Sequence, residues 1–258
     1  IAVSCFLMFL KITNQWIIPS RDQWKIITGI GFLSTFLYQA FFMYGMKWTA
    51  AGDASLMITF NPVFTAILAV PFLGEKFDFR LGAGLLSAVC GVVVIAWYSP
   101  NVDLPVNERL LGDALIGLSA LSWACTTILM KKAMTGENPM SPLHLTVWSS
   151  VVGLLIQTPA VIWEYSQVGP PTDATFEGWA WLAFLAIFST VLSYVWFADG
   201  IRVIGAGRSA MYVYLVPIFG ILSGWLLLDE KLGLSLIASF ILIVGGVYLA
   251  QSKQPSST

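Results

Sequence analysis

GMKWTAAGDASLMITFNPVFTAILAVPFLGEKFDFRLGAGLLSAVCGVVVI, residues 45–95, returns at residues 200–250 as GIRVIGAGRSAMYVYLVPIFGILSGWLLLDEKLGLSLIASFILIVGGVYLA, without a gap and at a constant offset of 155. Identical pairs set the register: Gly45 with Gly200, Gly52 with Gly207, Pro62 with Pro217, Glu75 with Glu230, Lys76 with Lys231 and Gly91 with Gly246. Upstream, Ser34-Thr35 falls on Ser189-Thr190, so the repeat unit extends through at least one further element. Each copy holds two apolar runs long enough to cross a bilayer as helix, and duplicated sets of such segments are a recurring membrane architecture.

The rest of the chain has the same character. It is 57% apolar and 10% charged, with a mean hydropathy of +0.80, which excludes an ordinary soluble domain. Apolar spans run near 26–46, 54–73, 81–98, 112–130, 143–163, 178–198, 209–229 and 232–250, and a ninth, Ile1 to Leu10, covers only part of the hydrocarbon. Subtracting the repeat offset from 143–163 lands on that stub, and subtracting it from 112–130 lands before residue 1. The expectation is therefore a parent of ten spans, nine of them present, with the first missing and the second cut short. The competing reading of the stub, a signal peptide, lacks a charged leader and a cleavage site.

An odd number of spans per half turns the second half over. The expected fold is all-α, a polytopic membrane protein built as an inverted repeat of five-helix halves, with an N-terminal repeat over 1–98, a C-terminal repeat over 112–250 and a disordered tail over 251–258. With a cytoplasmic C-terminus, ten Lys and Arg lie inside and only Lys47, Arg109 and Lys231 outside, which agrees with the positive-inside rule. Cys5, Cys90 and Cys125 have neither disulfide nor metal spacing. The net charge of −1 gives no footing for a nucleic-acid partner, so the partners expected are the bilayer and a small solute.

Two stretches carry a family resemblance. GDALIGLSALSWACTTILMKK from Gly112, and the 45–95 stretch with its Pro62 helix and Gly-Glu-Lys end, mirrored by Pro217 and Asp-Glu-Lys, resemble the EamA-type proteins of the drug/metabolite transporter superfamily. The resemblance covers nearly the whole chain. It implies ten helices, cytoplasmic termini, inverted halves, and export or uptake of small metabolites, often amino acids, across the inner (plasma) membrane.

Several residues inside the spans are candidates for the path of a solute. Pro62 and Pro217 each remove a backbone donor and free a carbonyl four residues earlier, at Ile58 and Val213, which predicts a kink in both halves and a place beside the path or its gates. Asn61 carries a carboxamide in a span where its repeat counterpart is Val216. Either a substrate contact or an interhelical hydrogen bond explains it. Helical spacing puts Asp53, Met57 and Asn61 on one stripe. Gln39 is long enough to reach a cavity, more so than Ser34, Thr35, Ser189 and Ser193, whose hydroxyls suit helix packing. Trp123, Trp148, Tyr212 and Tyr214 lie inside spans, where lining and packing are both open to them, and Trp123, Tyr212 and Tyr214 join the candidate set.

Other features carry no assigned role. His144 reads as a surface residue, and Glu75-Lys76 and Glu230-Lys231 as helix-end charges explained by topology. The absence of an acid from the middle of any span disfavours a proton-coupled cation exporter. No phosphate-binding loop and no catalytic constellation occurs, so neither an ATP-driven motor nor an enzyme is expected, and no cofactor or metal is implied. The leading expectation is a permease for small metabolites, amino acids or related compounds first, with efflux the expected direction. The alternatives are a lipophilic-drug or nucleotide-sugar carrier, an integral-membrane enzyme and an inactive fragment.

Overall fold

The computed structural model describes residues 1–74, 79–98, 105–135, 138–169, 175–193, 195–196 and 215–251. All regular structure among them is helical, as the hydrocarbon demands of backbone groups that find no water. The elements are α1 (Ala2–Ile12), α2 (Arg21–Gly31), a π-helical segment (Phe32–Leu37), α3 (Tyr38–Gly45), α4 (Ala51–Ile58), α5 (Asn61–Leu73), α6 (Phe79–Tyr98), α7 (Val106–Thr135), α8 (Pro142–Val168), α9 (Phe176–Phe184), a second π-helical segment (Leu185–Leu192), α10 (Leu215–Leu227) and α11 (Leu234–Gln251). Among the described residues four spans, Arg21–Gly45, Ala51–Leu73, Asn107–Thr135 and Pro142–Gln167, are long and apolar enough to cross a membrane whole, and five shorter apolar helices accompany them. Leu226, Leu227, Ile237, Ile241 and Trp225 stand exposed, an apolar surface that suits lipid and not water.

α7 starts earlier than its apolar run. Pro105 opens the helix, its carbonyl accepting from Glu108 and Arg109 N–H, and Arg109 is buried with its Nη2 donating to Trp97 O at 3.3 Å. A loop expected to last until residue 111 therefore becomes helix from Val106.

The contacts gather into two compact units, residues 1–36 with 129–210 and residues 37–128 with 211–258, and each draws on both sequence repeats. In the first unit, α2 and α8 approach until a Cβ on Gly31 would stand 2.6 Å from Ser149 O. Ile27, Ile30, Ala133, Leu145 and Trp148 form one core there, and Phe6, Leu10 and Val147 another. Residues 13–19 are tied to the start of α8: Trp148 Nε1 donates to Ile17 O at 3.0 Å, and His144 Nε2 lies 2.6 Å from Gln15 O. A carbonyl only accepts, so Nε2 carries the proton, which leaves Nδ1 to accept from Ser141 Oγ at 2.6 Å in the neutral ring. His144 is thus a clamp on the 13–19 turn, and Trp148 is core rather than lining.

In the second unit α6 and α11 run side by side, and their contacts pair equivalent positions of the two repeats. Ser87 Oγ donates to Leu242 O at 2.8 Å, and those two residues are repeat equivalents, 155 apart. A Cβ on Gly91 would stand 3.0 Å from Ser239 O, and one on Gly246 would stand 2.5 Å from Gly84 O. Gly246 is the equivalent of Gly91, and Gly84 the equivalent of Ser239. As numbers rise along α6 they fall along α11, so the helices are antiparallel and a local two-fold axis passes near Ser87 and Leu242. This is the inverted relation, since a translation would pair unlike positions in parallel. Leu56, Phe60, Val63, Ala88, Ile95, Leu236, Ile243 and Val247 complete the core around the pair.

The two π-helical segments are equivalent as well: 32–37 moved by the repeat offset falls on 187–192, inside the second. Each carries a Ser-Thr pair, and the hydroxyls turn to nearby backbone. Ser34 donates to Ile30 O at 2.7 Å and Thr190 to Leu185 O, five residues back, at 3.2 Å. Wide turns that recur in both halves are features of the fold and not irregularities of one helix.

The close glycine contacts generate a prediction. In Gly246→Ala the added methyl meets the backbone of Gly84 and Ala88, which cannot step aside as a side chain would. A loss of roughly 1–3 kcal/mol is expected, read as a lower melting temperature in detergent. Gly245→Ala, whose methyl meets nothing within 4 Å, should melt like the parent protein.

Candidate functional site

The second unit gathers the candidate residues that fall among the described ones. Its entry point is α4, which begins with Ala50 in an extended conformation and ends after eight residues. The span then breaks. Thr59 N–H and Phe60 N–H reach back only three residues, to Leu56 O and Met57 O, both at 3.1 Å, and α5 starts afresh at Asn61 with Pro62 in its first turn. Pro62 has no N–H to extend α4, and its fixed φ suits the beginning of a helix, so the chain restarts there. Thr59 Oγ1 takes up the slack by donating to Ser55 O at 2.9 Å.

Asp53 and Met57 are buried on α4, and Asn61 opens the next helix. Asn61 is half-buried. Thr65 Oγ1 donates to its backbone O at 2.9 Å and lies 3.3 Å from its Oδ1. Its amide N–H groups find no acceptor among the described residues.

Gln39 is exposed on α3, and its carboxamide makes no hydrogen bond among the described residues. Lipid chains offer such a carboxamide no hydrogen-bond partner. The neighbouring Tyr38 ring sits 5.3 Å from the half-buried Trp123 on α7, tilted by 57°, and stacks on Phe42 at 5.9 Å. Phe42 in turn packs on the cluster of Ala54, Met57 and Ile116. Trp123, the segment bearing Gln39, and α4 are therefore joined through aromatic contacts, with Asn61 just past the end of α4. Thr35, by contrast, is spent on packing: a Cβ on Gly153 would run into its side chain. Tyr212 and Tyr214 lie outside the described residues, as do Glu75 and Lys76, and Pro217 is buried in the first described turn of α10.

Two acids do more than mark helix ends. Asp113, 4% exposed on α7, accepts from Thr49 Oγ1 at 2.8 Å, with the Arg109 charge one turn earlier. Glu230, on the turn between α10 and α11, accepts from Ala51 N–H at 2.8 Å and Gly52 N–H at 3.1 Å, capping the start of α4. This corrects the reading of Glu230 as a charge serving its own helix, because the helix it serves lies 178 residues away in sequence. The signal available was its identity with Glu75 across the repeat; nothing in the spacing named the partner. Among the described residues no three His, Cys, Asp or Glu side chains converge as a metal site.

Comparison with known proteins places this geometry. The profile of the EamA-like transporter family matches residues 1–97 and 110–251. An uncharacterized transporter, YetK, of Bacillus subtilis (strain 168) is 25% identical over 88% of this chain and 68% of its own length. An uncharacterized transporter of Archaeoglobus fulgidus is 27% identical over 92% of this chain and 82% of its own. A probable amino-acid metabolite efflux pump of Escherichia coli (strain K12) is 28% identical over 87% of this chain and 76% of its own. A protein known from a crystal structure shares the fold at a TM-score of 0.64 and 16% identity, covering 96% of this chain and 84% of that one.

The Thr49–Asp113 contact is testable by stability. Thr49→Val keeps the shape and removes the donor from a buried carboxylate, so a loss of about 1–3 kcal/mol is expected in thermal melting. Thr49→Ser, which restores the hydroxyl, should recover most of it.

Proposed function

The chain belongs to the EamA-like transporter family and is a multi-pass membrane transporter, and from that premise we propose that it carries small polar metabolites, amino acids or related compounds first, outward across the inner (plasma) membrane by alternating access. The observation that supports this most is the pair of carboxamides with hydrogen-bonding capacity to spare inside apolar spans, Gln39 and Asn61. Uncharged donors and acceptors suit a zwitterion or a neutral polar solute, whose own groups they pair while it is out of water. Trp123 supplies an apolar face beside them, and Tyr212 and Tyr214 are assigned to the same lining from sequence. Pro62, at the start of α5, and Pro217 flank the path as gates.

Inverted halves supply the two states. Two repeats of one ancestral bundle can exchange conformations, so that a path open to one face becomes a path open to the other. The distribution of Lys and Arg supports a cytoplasmic C-terminus. Outward transport of amino-acid metabolites takes its support from the efflux pump of Escherichia coli among the relatives. Carrier and not enzyme is the reading, as the relatives carry transporter names.

The test is counterflow in liposomes with a panel of labelled amino acids and their derivatives. The unaltered protein should exchange at least one of them, and exchange of none would end the reading. Asn61→Val and Gln39→Leu should each raise the half-saturation concentration about fivefold, the worth of one hydrogen bond of about 1 kcal/mol, with unchanged expression.

A further inference from the structure

α4 is held at its beginning from two directions. On one, the Glu230 carboxylate receives both free N–H groups of Ala51 and Gly52. Its seat is cut to fit. A Cβ on Gly52 would stand 3.1 Å from Oε2, and a Cβ on Gly224 would collide with Oε2 and stand 2.9 Å from Cδ. Asp229, at φ 55°, turns the backbone left-handed just before, and Glu230 N–H bonds to Gly224 O at 3.1 Å, so the carboxylate is delivered by a turn built for it. On the other direction, Thr49 is bonded to Asp113, and Gly112 lies so close to Trp48 that a Cβ would stand 2.9 Å from its carbonyl carbon.

The far end of α4 is the break at Thr59 and Phe60. The helix is thus a rod of about 12 Å, gripped by side-chain carboxylates at one end and hinged at the other. Its neighbours α6 and α11 differ in kind, for a Cβ on Gly91 would stand 3.0 Å from Ser239 O and one on Gly246 would stand 2.5 Å from Gly84 O, so their backbones lie close together. Carboxylate-to-amide bonds at a helix end can open and re-form; interlocked backbone cannot slide without losing its packing.

We propose that Glu230 and Asp113 form a clamp on the start of α4, and that release at Glu230 is the movement by which α4 uncovers Met57 and the neighbouring Asn61 to water. Its purpose rests on the carrier reading above, but its measurement does not. Met57 is 6% exposed in the clamped state, and a thiol placed there reports its opening.

The experiment replaces Cys5, Cys90 and Cys125 by serine, introduces Met57→Cys and follows labelling by a membrane-impermeant maleimide present on both faces of liposomes. Glu230→Gln, which keeps the shape and loses the paired acceptor, should speed labelling at position 57 roughly fivefold or more, a local opening. Gly224→Ala should do the same, because it fills the seat while keeping the carboxylate. A thiol introduced instead by Ile243→Cys, in the α11 core, should label no faster in either background. Unchanged labelling at position 57 in both variants, or equal acceleration at positions 57 and 243, would overturn the clamp. Absence of exchange by the unaltered protein would refute the carrier reading while leaving these labelling rates to stand or fall alone.

Discussion

A backbone N–H or C=O in hydrocarbon has no water to turn to, so every interruption of a helix must be answered by another group of the protein. The two π-helical segments answer it with wider turns and with Ser and Thr hydroxyls folded onto nearby carbonyls. The restart at Asn61 answers it with three-residue bonds and the Thr59 hydroxyl. The start of α4 is answered from a distant turn, by Glu230. These are the places where the chain departs from plain helix, and the restart at Asn61 and the start of α4 belong to the candidate site.

Two kinds of contact hold the second unit together, and they divide its labour. Along α6 and α11 glycines bring backbone against backbone, and the pairing of equivalent residues makes the contact self-complementary. Such a contact lies on the axis relating the repeats, so exchanging their conformations leaves it unchanged. At the start of α4 two carboxylates add side-chain bonds: Glu230 to Ala51 and Gly52, Asp113 to Thr49. An element that must move is better held by bonds that a single rotamer change can break.

The polar chemistry proposed to meet a solute is sparse and uncharged. Gln39 and Asn61 retain hydrogen-bonding capacity, while the hydroxyls of Ser34, Thr190 and Ser193 are committed to nearby backbone and Thr35 to packing. Of the buried acids Asp53 and Asp113, Asp53 lies in the first turn of α4, where the positive end of a helix favours a carboxylate. The aromatic contact of Tyr38 with Trp123 ties α3 to α7 beside these groups.

Much of this was legible from residue order alone. Span lengths and hydropathy determined a helical membrane protein, because the thickness of hydrocarbon and the cost of bare backbone leave one solution for such runs. The return of residues 45–95 at 200–250 pointed to inverted halves, and a proline or carboxamide within an apolar span singled out Pro62, Asn61 and Gln39 as unusual for their depth. Partnership was beyond it. That Glu230 caps α4, that His144 and Trp148 hold the 13–19 turn, that Gly91 and Gly246 face each other's repeat, and that Asn61 opens a new helix were decided by tertiary structure. Spacing along a chain specifies which face of one helix a residue occupies, whereas a hydrogen bond to a residue more than a hundred positions away depends on how helices are stacked, and many stackings share the same apolar pattern.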